Sequence, residues 1–248
     1  MKLSIIIVSW NTRDLLKKCI ESILKYSSGE YEIIVVDNAS FDGTVEMLES
    51  LNVKGLNFEI IKNSKNLGFA KANNQGIRIA KGEYILLLNP DTEFVEEFQV
   101  SNLRLQVAIL GCKLLNSDKT IQPSVRRFPR VMDILVILFK LHKLFPNLLD
   151  RYLAKDFNYS KSSEVDQVMG AFFLVPRNIF DKIGLLDEGY FIWFEEVDFC
   201  RRAKKAGYKI MYYPGTQIIH HGSQSFNQAM TLKKQWWFFR SAARYFFF

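Results

Sequence analysis

The residues whose types and spacing best suit chemistry are acids: Asp37, Asp91, Glu195, Glu196 and Asp198. Each ends a short apolar run or opens a helical pattern, and in an open α/β sheet those are the places where polar side chains gather around a ligand. A diphosphate lying among carboxylates requires a divalent cation, because like charges otherwise repel. Mg²⁺ or Mn²⁺ held by one or two carboxylates plus substrate phosphates is the usual solution. Asp91, within Asn89-Pro90-Asp91, is the best-placed ligand. Glu195-Glu196 follows Phe191-Ile192-Trp193-Phe194, so a carboxyl there would lie against apolar walls that raise its pKa toward that of a useful base. The same acids, with Lys204, Lys205 and Gly207 at the far end, also match what a helix needs for its macrodipole and C-cap. Helix electrostatics alone would account for every charge in that segment. His220-His221 is the last candidate. Adjacent strand residues point to opposite faces, so at most one of the two meets a metal beside Asp91, and a lone strand histidine is more often simply satisfied in the core or exposed.

Missing motifs narrow the chemistry further. No Gly-x-Gly-x-x-Gly follows the first apolar run and no Gly-Lys-Ser/Thr loop occurs anywhere, so the backbone cradles of dinucleotide-binding dehydrogenases and P-loop NTPases are lacking. No Gly-x-Ser-x-Gly elbow is present, and the three histidines are His142, His220 and His221. A serine-nucleophile hydrolase is therefore disfavoured.

The elements that must position these acids follow from periodicity. Leu3 to Ser9, Glu32 to Asp37, Phe58 to Lys62 and Tyr84 to Leu88 read as strands. Between them lie helical patterns, clearest where Leu15, Leu16, Cys19, Ile20, Ile23 and Leu24 recur at i, i+3, i+4; Thr44 to Leu51 and Phe69 to Ala80 are the others. Alternating strands and helices predict a doubly wound, mostly parallel sheet with helices on both faces. Further on, Gln167 to Val175 reads as a strand, Phe180 to Ile183 and Glu195 to Ala206 as helices, and Lys209 to Tyr213 and Thr216 to His220 as two strands. Residues 126–155 form a basic amphipathic insertion, expected as two helices split around Pro146.

Over 248 residues, 48% hydrophobic and 24% charged, the chain can bury a core. Its net charge of +7 is unevenly spread: residues 126–155 hold seven Lys/Arg against two Asp, and residues 201–248 hold nine and no acid. Basic segments beside an acidic remainder suit a phosphate-bearing partner such as a nucleotide or an anionic lipid surface. Cys19, Cys112 and Cys200 are odd in number and far apart, which fits reduced thiols, no structural zinc and a cytoplasmic chain. Leu3 to Val8 is too short for a signal core, and Asp133, Lys140, His142 and Lys143 interrupt the best spanning candidate, Val131 to Leu149.

Seven blocks, taken in order, resemble the family 2 glycosyltransferases of the GT-A fold, in particular their bacterial rhamnosyltransferase-like branch. They are Ser4-Ile-Ile-Ile-Val-Ser-Trp-Asn11, Val36-Asp-Asn-Ala-Ser-Phe-Asp-Gly-Thr44, Asn66-Leu-Gly-Phe-Ala-Lys-Ala-Asn-Asn74, Leu87-Leu-Asn-Pro-Asp-Thr92, Met169-Gly-Ala171, Trp193-Phe-Glu-Glu-Val-Asp-Phe-Cys-Arg201 and His220-His-Gly-Ser-Gln-Ser225. They cover nearly the whole chain.

The resemblance implies a GT-A domain over residues 1–225, with 1–92 as its nucleotide-binding half and 93–225 as its acceptor half, and a basic aromatic segment over 226–248. It implies that Asp37 hydrogen-bonds the base of a nucleoside diphosphate, with Ser9, Trp10 and Asn11 beside it. Asn66, Gly68, Asn74 and Asn89 would shape the donor pocket, and Asp91 with His220 would hold Mn²⁺ or Mg²⁺. Glu196 would be the catalytic base of an inverting transfer, with Gly170, Ala171, Glu195 and Asp198 on the acceptor side. The family's Asp-x-Asp motif begins here with Asn89, removing one carboxylate, and its usual Asp base is the longer Glu196. The implied partners are a dTDP- or UDP-sugar donor and a glycan or lipid-linked acceptor, with rhamnose as the sugar of the branch. Nucleic acid is not among the expected partners. The basic segments fit peripheral attachment at the inner face of the cell membrane, or an oligomer interface. Two other readings compete: a sugar-nucleotide pyrophosphorylase, which should carry a Gly-rich basic loop where this chain has Ser9-Trp10-Asn11, and a noncatalytic scaffold that binds nucleotide sugar or membrane.

Overall fold

A computed structural model of the chain describes residues 2–51, 56–98, 109–222 and 231–247. Ser223 to Ser225 of the last histidine block, residues 226–230 and Phe248 lie outside them.

Continuous β-branched runs give strands covered on both faces. β1 (Leu3–Ser9) is buried along its whole length and β2 (Tyr31–Asp37) along all but its first residue. The intervening α1 (Arg13–Tyr26) buries the stripe Leu16, Cys19, Ile20 and Ile23 and turns Lys17 and Lys18 outward. The order continues with α2 (Thr44–Ser50), β3 (Asn57–Lys62), α3 (Phe69–Ile79), β4 (Tyr84–Leu88), β5 (Thr92–Phe94) and β6 (Ile109–Leu115). Two short strands, β7 (Ile121–Gln122) and β8 (Val125–Arg126), lead to α4 (Val131–Leu138) and two 3₁₀ turns, Leu141–Lys143 and Pro146–Leu149. The chain then forms β9 (Ser163–Glu164), β10 (Gln167–Val168), β11 (Phe172–Pro176), α5 (Arg177–Ile183), α6 (Glu195–Lys205), β12 (Ile210–His220) and α7 (Thr231–Phe247).

The main sheet runs β3-β2-β1-β4-β11-β6-β12-β5. Its first four strands are parallel; β11 is antiparallel to both β4 and β6, while β12 is parallel to β6. The result is a mixed, mostly parallel sheet flanked by helices. Alternation along β1 sends Ile6 and Val8 to a core shared with Ala70, Ala72 and Ile77 of α3. Ile5 and Ile7 go to the opposite core with the α1 stripe. Each such side chain contributes about 1.5–3 kcal/mol as an upper estimate. A third cluster joins Ile134 of α4, Tyr190, Phe194, Val197 of α6, and Ala242 and Tyr245 of α7.

Three expectations need correction. The stretch Gln167 to Val175 is two strands in different sheets, β10 pairing with β8 and β11 with β4 and β6, and Met169–Ala171 between them lines a cleft. Lys209 to Tyr213 and Thr216 to His220 form one strand whose register shifts between Tyr213 and Gln217, so Pro214-Gly215 produces an irregularity and not a break. The insertion holds one α-helix followed by 3₁₀ turns, with Pro146 opening the second turn where its fixed φ is tolerated. The three cysteines are buried and free.

Candidate active site

A cleft of about 860 Å³ opens beyond the carboxyl ends of β1, β2 and β4. The corner where Asp91 and His220 meet comes from strand pairing. β5 runs antiparallel to β12 with Thr92 opposite His220, and His221 N–H donates to the Asp91 carbonyl at 2.9 Å. His220 Nε2 thereby lies 3.4 Å from Asp91 Oδ1 and 3.5 Å from Asn89 Nδ2. Gln122 Oε1, 2.7 Å from His220 Nδ1, can accept only from an Nδ1–H. That tautomer leaves the Nε2 lone pair directed toward Asp91, the arrangement of a metal-ligating histidine fixed by an outer partner. His221 turns the other way, to Glu93 Oε1 at 2.8 Å and Ser117 Oγ at 2.8 Å. Among the described residues no group of three His, Cys, Asp or Glu could hold a metal. A carboxylate and an imidazole, with phosphates completing the sphere, fit Mg²⁺ or Mn²⁺.

One part of the lining is organised by Asn38. Its amide donates to Asn66 Oδ1 at 2.9 Å and the Gly68 carbonyl at 3.3 Å, and its oxygen accepts from Leu67 N–H at 3.0 Å. Asn66 Oδ1 also accepts Gly68 N–H at 2.9 Å. Gly68 has φ 88°, and a Cβ there would meet the Phe191 carbonyl oxygen at 2.6 Å. Only glycine allows this approach, across which Phe69 N–H donates to the same carbonyl at 2.7 Å. Asp37 is buried, with Oδ2 accepting Ser40 N–H at 3.1 Å and Oδ1 lacking a partner. An orphaned buried acceptor asks for a donor, and a base N–H is one. Asn11, at φ 52°, binds Ser40 Oγ through its backbone N–H and Phe41 N–H through its side chain, each at 2.9 Å. Ser9 Oγ lies 2.9 Å from Thr12 Oγ1. Trp10 and Asn89 line the cleft directly.

The acids Glu195 and Glu196 line the same cleft. Trp193 and Phe194 adopt φ of 63° and 71°, a left-handed conformation that bulky residues occupy only when their surroundings enforce it. They deliver Glu195 and Glu196 to the first turn of α6. Both line the cleft, and the Oε2 of each is buried without a partner. Burial pushes both carboxyls above the ordinary glutamate range, Glu195 further because the Glu196 charge adds to it and the hydrogen bond between them favours the proton on Glu195. Gly170 and Ala171 lie in the same cleft, and a Cβ on Gly170 would sit 3.8 Å from the Glu196 side chain.

Five expected residues, Ser9, Asn11, Asp37, Asn74 and Asp198, do not line the cleft. Asp198 is committed to Arg202 Nε at 2.7 Å, and that guanidinium in turn donates to the Ile183 and Leu185 carbonyls. Asn74 is buried against the segment before Phe191, donating to the Leu186 carbonyl at 2.8 Å and accepting Leu186 N–H at 3.1 Å. It supports the wall from behind. Residues missed from the sequence include Gln122, whose only signal is proximity to the insertion, and Arg126 and Tyr152 of the insertion itself. Trp237 and Phe238 also line the cleft, and Trp237 stacks on Phe191 at 4.6 Å. Their signal was the aromatic run near the C-terminus, read as a lipid-facing or interface surface.

The sheet order and flanking helices are those of the GT-A fold. The solved structure of GalNAc-T7 with UDP, GalNAc and Mn²⁺ superposes with a TM-score of 0.68 at 18% identity, covering 88% of this chain and 43% of that one. S. aureus TarS 1-349 in complex with UDP-GlcNAc gives 0.60 at 17% identity, over 93% of this chain and 62% of that one. Residues 4–103 match the family model Glycosyl transferase family 2. The rhamnosyltransferase WbbL of Escherichia coli is 29% identical over 97% of this chain and 91% of its own length. The N-acetylglucosaminyl-diphospho-decaprenol L-rhamnosyltransferase of Mycobacterium tuberculosis is 24% identical over 90% and 77%. An uncharacterized protein of Sinorhizobium fredii, y4gI, is 27% identical over 94% of this chain, which spans only 26% of that relative. Over residues 4–103 the chain matches family 2 glycosyltransferases, and its relatives over most of its length include two named rhamnosyltransferases.

Proposed function

We propose that the protein transfers a sugar, with inversion at the anomeric carbon, from a dTDP- or UDP-sugar to a hydroxyl of a glycan or lipid-linked saccharide. The observation that carries this is one cleft lined by both the Asp91–His220 pair and the buried Glu196 carboxyl. Relatives named as rhamnosyltransferases favour a deoxyhexose such as rhamnose as the sugar.

In this reading Asp37 and the Asn38 network receive the nucleoside, and Asn89 and Asp91 face its diphosphate. Asp91 and His220 would hold Mn²⁺ or Mg²⁺, which supplies Lewis-acid stabilisation of the leaving diphosphate when bound. The free Oε2 of ionised Glu196 accepts the proton of an acceptor hydroxyl as that oxygen bonds to the anomeric carbon. The bond from that carbon to the diphosphate breaks on the opposite face. Glu195 lies beside Glu196 in the same buried environment. The apolar residues Phe191, Trp193 and Trp237 exclude water that would otherwise hydrolyse the donor.

Calorimetric titration with UDP, dTDP and GDP, with and without Mn²⁺ or Mg²⁺, on wild type and Asp91→Ala tests the reading. Metal-dependent binding of one nucleotide, weakened by about a hundredfold or more in the variant, is expected, since truncating one partner of a charged contact costs several kcal/mol. No binding of any nucleotide under any condition would overturn it in favour of a noncatalytic scaffold.

A further inference from the structure

Two neighbouring elements expose far more apolar surface than a water-facing protein needs. α4 keeps Ile134 and Val136 buried, yet Met132 and the following Phe139, Leu144, Phe145 and Leu148 face solvent, Phe139 at 70% and Leu144 at 74% exposure. α7 seats Ser241, Ala242 and Tyr245 on the body of the protein and exposes Leu232, Trp236, Phe239 and Phe247, Leu232 at 76% and Trp236 at 60%. The two helices meet through Ile134, Leu138, Phe238, Ala242 and Tyr245, so their outward residues belong to one side-by-side pair. Single exposed apolar residues are ordinary, but a cluster of this extent marks a binding surface.

Charge selects the occupant. Lys140, Lys143, Lys233 and Arg240 are exposed among these residues, and none forms an ion pair among the described residues. The acid within α4, Asp133, is buried against Arg151 at 2.7 Å, and α7 contains no acid. A second copy related by a two-fold axis would set these cations against each other. A layer of anionic headgroups over acyl chains complements both the lysines and the aromatic residues. The same elements also frame the cleft: the insertion contributes Arg126 and Tyr152, and α7 contributes Trp237 and Phe238.

We infer that the exposed faces of α4, the following 3₁₀ turns and α7 form a docking surface for an anionic lipid bilayer, which brings the acceptor side of the cleft to the membrane plane. The docking itself does not depend on the transfer reaction. The test is co-sedimentation of the full chain, without nucleotide, with vesicles of equal parts phosphatidylglycerol and phosphatidylcholine, and with phosphatidylcholine alone. Binding should be at least about tenfold stronger to the anionic vesicles and fall as salt is added. Trp236→Ser with Phe139→Ser should reduce it about tenfold. Lys140→Glu with Lys233→Glu, exposed sites that leave folding intact, should reduce it similarly on anionic vesicles only. Nucleotide titration of each variant verifies the cleft, so loss of vesicle binding with nucleotide binding retained is the supporting pattern. No vesicle binding, equal binding to both lipid mixtures, or a solution dimer dispersed by Trp236→Ser without vesicle binding would each overturn the inference.

Discussion

The two halves of the sheet build their shares of the cleft in different ways. In the first, β1, β2 and β4 are parallel and buried on both faces, and the residues proposed to receive the donor sit where those strands end. In the second, β11 and β6 are antiparallel, the chain passes from one sheet to another at Met169–Ala171, and the acids hang from two left-handed aromatic residues braced by a C-terminal helix. The first half positions its ligand by regular topology, and the second by irregular segments that are each held by a distant part of the chain. Donor binding and acceptor activation should therefore respond separately to substitution.

Gly68→Ala should have the largest effect on the donor half. Its φ of 88° and the approach of the Phe191 carbonyl leave no room for a methyl group. A cost of about 1–2 kcal/mol for the conformation alone, plus displacement of Phe191, predicts a loss of tenfold or more in nucleotide affinity by calorimetry and a lower thermal midpoint. Unchanged affinity would mean the Gly68–Phe191 contact does not shape the donor site. Trp237→Ala, on the other side of the same phenylalanine, should cost about 1–3 kcal/mol of stability through lost aromatic packing. It should change nucleotide affinity less than threefold. A large affinity loss would erase the division between the halves.

The smallest expected effect is on pH-dependent stability. Burial raises the Glu195 and Glu196 carboxyls in the folded chain, so the native state binds more protons than the unfolded state above the ordinary glutamate pKa. Stability from this pair is present below that value and is lost as pH rises through the raised folded values. Urea midpoints measured across this range should fall more steeply for wild type than for Glu195→Gln, whose amide cannot titrate. Parallel curves would show that the pair does not share a buried environment.

The same contrast explains what the sequence revealed. Strands β1, β2 and β4 and helix α1 were readable because each buries a periodic or continuous apolar pattern that local rules describe. The pairing of His220 with Asp91 was legible only through the family resemblance and not from local pattern, since it depends on β5 crossing to the far edge of the sheet and taking its register from β12. Asp198 resembled a site residue because it opens the same helix as Glu196, yet one turn of helix carries it to Arg202. Asn74 fell within a matching block but supports Leu186 from behind the wall. Trp237 and Phe238 showed only as aromatic residues among basic ones, a composition shared by cleft walls, interfaces and lipid-facing surfaces. Nothing local tells these apart.

The most direct test of the central claim measures donor affinity and turnover together in Glu196→Gln. The substitution keeps size and burial and removes the proton acceptor, so donor affinity should stay within about twofold while turnover falls by about 10²–10⁴, the usual contribution of a general base. Turnover within a fewfold of wild type, or a loss of donor binding equal to the loss of rate, would contradict the assignment of Glu196 as the base.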